Sequence, residues 1–107
     1  MPTRKSALLG KWRIVELEVW DAEFVDMLEP AYITFEAKGA GEFVFGAARG
    51  DLDCRYGPDA ARFTWEGFDE MDPAFGAGSA KLAPDGSLTG EIRFHRGDES
   101  TFKARRW

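Results

Sequence analysis

The chain holds a single cysteine, Cys54, so no disulfide can form within it and no cysteine-based metal site can be built. This fits a reducing compartment, and the cytoplasm is the expected location. Histidine also occurs once, at His95, which excludes the two-histidine zinc motifs. Positive charge is in deficit: 14 Lys and Arg stand against 19 Asp and Glu, a formal net charge of −5. That balance repels a phosphate backbone, so no nucleic-acid partner is expected. The one basic cluster, Lys103, Arg105 and Arg106, reads as the solvated edge of a last strand. Long hydrophobic runs are missing, and with them any apolar segment able to span a bilayer. Met1 to Ser6 carries two positive charges, but the apolar stretch behind it, Ala7-Leu8-Leu9, stops at Gly10. No secretory signal and no membrane association are expected from this. There is no phosphate loop, dinucleotide fingerprint or nucleophile elbow, so no cofactor is expected.

Aromatic residues are plentiful: nine Phe, four Trp and two Tyr in 107 residues. Aromatics bury large area per side chain and favour strands. The length suits one domain with one core, taken as 1–107 with 1–8 as a flexible N-terminal segment. Along it runs a repeated rhythm of alternating segment and turn, the mark of a meander.

The first segment, 9–20, changes phase. Trp12 and Ile14 share one face, whereas Val15, Leu17 and Val19 share the other, so a β-bulge or sharp bend is expected between Ile14 and Val15. A helix is the rival, since Leu8, Trp12, Val15 and Val19 also fall at helical spacing; Trp, Ile and Val favour the strand. Residues 21–29 predict one short helix. Asp21 caps it, Phe24, Val25 and Leu28 form its apolar stripe, and Pro30 ends it. Further strands are expected over 31–37, 42–48, 51–56, 62–68, 74–83, 87–95 and 100–107. Tight connections are expected at Arg49-Gly50, Gly57-Pro58-Asp59 and Pro84-Asp85-Gly86. Residues 68–73 read as an acidic loop closed by Pro73.

The expected fold is therefore all-β: an eight-stranded antiparallel up-and-down barrel with one short helix between strands one and two. Closure removes the exposed edges, although two packed sheets fit the same pattern. The opening Gly10-Lys11-Trp12 and the closing Ala104-Arg105-Arg106-Trp107 resemble the lipocalin and wider calycin barrels. That resemblance implies that Trp12 closes one end and that a basic residue of the last strand lies across its face. Strand phase points Arg106 inward with Phe102 and Ala104, for a cation–π contact worth about 0.5–2 kcal/mol. The chain also looks like a small bacterial protein, a likeness that implies no activity.

An eight-stranded barrel has room for side chains or for one small ligand. The inward aromatics either fill it or line a cavity near one mouth. On the second reading Trp12, Phe35, Phe45, Trp65 and Phe94 line the site, and Tyr32, Tyr56 and Arg106 supply the few polar groups that orient a ligand. Asp69, Glu70 and Asp72 lack the spacing and glycine of a calcium loop and read as solvated. His95 falls on the polar phase beside Arg93 and Arg96, and Cys54 on the apolar phase as an inert small hydrophobe.

Three functions follow as expectations. The first is non-catalytic binding of a small, partly apolar ligand inside the barrel. The second is a protein-interaction module, meeting a basic partner through an acidic surface or pairing into a homodimer. The third is an enzyme built on His95 or the acidic loop, and the missing motifs weigh against it.

Overall fold

A computed structural model describes residues 8–18, 30–95, 97 and 99–107. The predicted helix over 21–29 and most of the N-terminal segment lie outside the described residues. The described residues form eight strands: β1 (Gly10–Leu17), β2 (Tyr32–Phe35), β3 (Ala40–Phe45), β4 (Ala48–Tyr56), β5 (Ala60–Asp69), β6 (Asp72–Leu82), β7 (Leu88–Phe94) and β8 (Glu99–Arg106). Each pairs antiparallel with the next, and β8 returns to β1, so the sheet is a closed barrel.

The phase change in β1 is a register shift. Ile14 faces Ala104 and Glu16 faces Lys103, so Val15 is the extra residue of a bulge. The bulge returns Leu17 to the interior beside Trp12 and Ile14. Leu8, assigned by sequence to the flexible segment, is fully buried, and its carbonyl accepts the Trp12 indole N–H at 2.8 Å.

Two connections differ from expectation. The β3–β4 turn is Gly46-Ala47, with Gly46 at φ +55°, and not Arg49-Gly50. Gly50 instead sits within β4 opposite Phe43, where an added Cβ would lie 2.5 Å from the Phe43 ring and 2.7 Å from that of Trp65. The acidic segment 68–73 is not a loop. Asp69 pairs with Asp72 and Phe68 with Pro73, leaving a two-residue turn at Glu70-Met71.

The interior is assembled from rings set against glycines. Phe35 faces Gly41, Phe63 faces Gly78, Trp65 and Phe94 flank Gly76, and Phe102 faces Gly90. A glycine opposite each ring leaves the ring the volume its neighbour would have taken. This is how a narrow barrel accommodates so many aromatics.

Candidate functional site

The end of the barrel marked by Gly10 and Trp12 is closed. Trp12 is fully buried, and the Arg106 guanidinium lies 4.0 Å above its ring. Arg106 also donates to the Leu9 carbonyl at 2.6 Å. Gly10, at φ +121°, makes this possible: a Cβ there would lie 2.8 Å from Arg106 Nη1. The glycine–x–tryptophan spacing thus has a physical cause in the passage of the arginine across the indole.

The other inward aromatics touch one another. Phe35 meets Phe63 at 6.3 Å and Tyr56 at 6.2 Å between ring centroids. Phe43 stacks on Phe45 at 5.4 Å, and Trp65 meets Phe43 and Phe94 edge-on, each at 4.9 Å. Phe94 in turn meets Phe45 at 6.0 Å. The Trp65 indole N–H donates to the Arg93 carbonyl at 3.2 Å. Of the predicted lining residues, Trp12, Phe35, Phe45 and Trp65 are buried, and Phe94 is partly buried against them.

The three expected polar groups do not converge. Tyr32 pairs with Arg13 and Val44, on the outward phase of β2. Its hydroxyl donates to Glu42 Oε1 at 2.9 Å, and Lys11 Nζ lies 4.4 Å from its ring. The Tyr56 hydroxyl faces the β2–β3 connection and donates to the Glu36 carbonyl at 2.8 Å. Burial, then the Cys54 thiol beside it, raises the Tyr56 pKa. Burial also pushes the Cys54 thiol up, which keeps it protonated and poorly nucleophilic. Arg106 is held by Trp12 and Leu9.

A hollow lies on the outside of the barrel, over β4 to β7. It holds about 710 Å³. Its outward side chains are Asp51, Asp53, Thr64, Glu66, Phe75, Ala77, Arg93 and His95, and Trp65 and Phe94 border it from the interior side. Phe75 is about half exposed, and its ring stacks on His95 at 4.5 Å. Three carboxylates therefore face one guanidinium, and Arg93 leans toward Glu91 at 3.9 Å.

The sequence singled out Trp65 and Phe94 as lining of the interior and His95 as a residue of the polar face, and it did not single out Asp51, Glu66 or Phe75. The alternation of 51–56 and 62–68 does put Asp51 and Glu66 on outward phases. Their direct opposition depends on the β4–β5 register, which the turn residues alone do not fix.

Comparison with protein families, with curated proteins and with solved structures returns no match. The closed eight-stranded antiparallel barrel is consistent with a calycin-like architecture.

Proposed function

We infer that this barrel is a non-catalytic, calycin-like binding module, and that its ligand is a small, partly apolar cation held in the outer hollow over β4 to β7. One observation carries the reading: the stacked Phe75 and His95 rings stand at the rim of a hollow that Asp51, Asp53 and Glu66 also face. Its volume lies in the range of small-ligand sites. An aromatic face and nearby carboxylates both attract an organic cation, and the net charge of −5 raises its local concentration. The packed interior supports a scaffold role for the core, with binding moved to the surface.

The test is a titration with phenethylammonium, followed by amide chemical shifts in NMR. Shifts should concentrate on residues 51–53, 64–66, 75–77 and 93–95. Phe75→Ala should weaken binding about two- to five-fold, the loss of one exposed cation–π contact. Absence of shifts at millimolar ligand, or affinity indifferent to both Phe75→Ala and Glu66→Gln, would overturn the assignment.

A further inference from the structure

The hollow continues along the strands. A second one, of about 550 Å³, adjoins it and shares Asp53, Thr64, Ala77 and Arg93. Together they form a trough over the outward phases of β5 and β6, where the central residues are the small Thr64, Ala77 and Ser79. At one end Asp51 is the direct cross-strand partner of Glu66. At the other end Arg55 is the direct partner of Arg62. Like charges directly opposite one another destabilise an antiparallel pair. Among the described residues none of these four side chains makes an ion pair. The two pairs have opposite sign and stand four residues apart on each strand, about 13 Å at the rise of a strand.

Between them, Asp53 and Arg93 stand at the two ends of one cross-strand row with Thr64 and Ala77, and Arg93 leans toward Glu91. Glu91 lies across Ser79 from Arg62 and only partly offsets the basic end. The trough is thus acidic and aromatic at the Phe75 end, small in the middle and basic beyond.

Building on the cation site above, we propose that the natural occupant is an extended polypeptide segment with a Lys or Arg and an Asp or Glu four residues apart. An extended chain repeats at the strand's own rise, so the two charges of such a segment reach both ends together. Its intervening side chains lie over Thr64, Ala77 and Ser79, where only small neighbours compete for space. Each end of the ligand brings a counter-charge to a like-charge pair whose members make no ion pair among the described residues. A closed barrel has no free edge to extend, so recognition runs through side chains and not through added strand pairing.

Two acetylated, amidated seven-residue peptides test this. Both carry phenylalanine first, lysine third and alanine elsewhere; one has glutamate seventh and the other has it fifth. NMR titration should show the wider spacing binding about five-fold more tightly, the worth of one well-placed exposed ion pair. In the double variant Arg55→Gln, Arg62→Gln that preference should vanish, with the dispersion of the variant's spectrum reporting its fold. Equal affinities on the native protein, or a preference that survives in the variant, would overturn the peptide assignment. If phenethylammonium binds while spacing is ignored, the peptide inference alone fails. If neither phenethylammonium nor peptide shifts the trough, the cation site fails with it.

Discussion

Glycine is the residue that decides this molecule, through two different needs. At Gly46 the backbone turns with positive φ. At Gly50 the backbone is ordinary strand, and the need is space beneath the Phe43 and Trp65 rings. Both uses look alike in a sequence, which is why Gly50 reads as a turn when it is part of the packing. The distinction has a measurable consequence. Gly50→Ala forces a methyl against two buried rings, and overpacking of that kind costs about 1–3 kcal/mol. Urea denaturation should show this loss, and an unchanged midpoint would mean that the rings have room to yield. Trp12 and Arg106 were legible because the resemblance to calycin barrels implies a basic residue across the tryptophan, and strand phase points to Arg106. Tyr32 shares its phase with Thr34, so alternation already points it outward, and what the sequence does not show is that it is buried there.

At the scale of elements, alternation located the strands well and their ends less well. The segment Phe68 to Pro73 carries three acidic residues and a proline, which read as loop. Pairing nevertheless continues through Asp69 and Asp72, because the ladder above it is already in register. What remains is a two-residue turn whose residues both adopt positive φ, 52° at Glu70 and 75° at Met71. Such turns match the twist of a hairpin, but they favour glycine or asparagine. Met71 is 91% exposed, so no packing offsets its strained backbone. Met71→Gly should therefore stabilise the protein by about 0.5–1 kcal/mol, the left-handed penalty less the added entropy of glycine. A rise in the thermal midpoint would show it, and a fall would mean that the methionine side chain contributes more than its exposure suggests. The candidate site was half legible for a related reason. Alternation assigns a side chain to a face, whereas a site on that face needs the register between strands, which is set by turns of this kind.

At the scale of the whole molecule, the barrel has one non-local seam. Seven of its eight strand pairings join neighbours in sequence, and the eighth joins β1 to β8. Arg106 sits on that seam and bonds Leu9, 97 residues away. Each meander pairing closes only a short loop. Closing the seam from a flexible chain would cost about 2 kcal/mol more than closing a ten-residue hairpin. The meander therefore assembles first and brings the seam strands within reach, so the ring zips shut last. By the same reasoning it opens first. Amides that bridge β1 and β8 should exchange with deuterium faster than those that bridge β4 and β5, and the reverse order would place the nucleus at the ends of the chain. The cation lying over Trp12 then acts as a clasp: its contribution falls on the unfolding rate more than on the folding rate, because the contact forms after the transition state has been crossed.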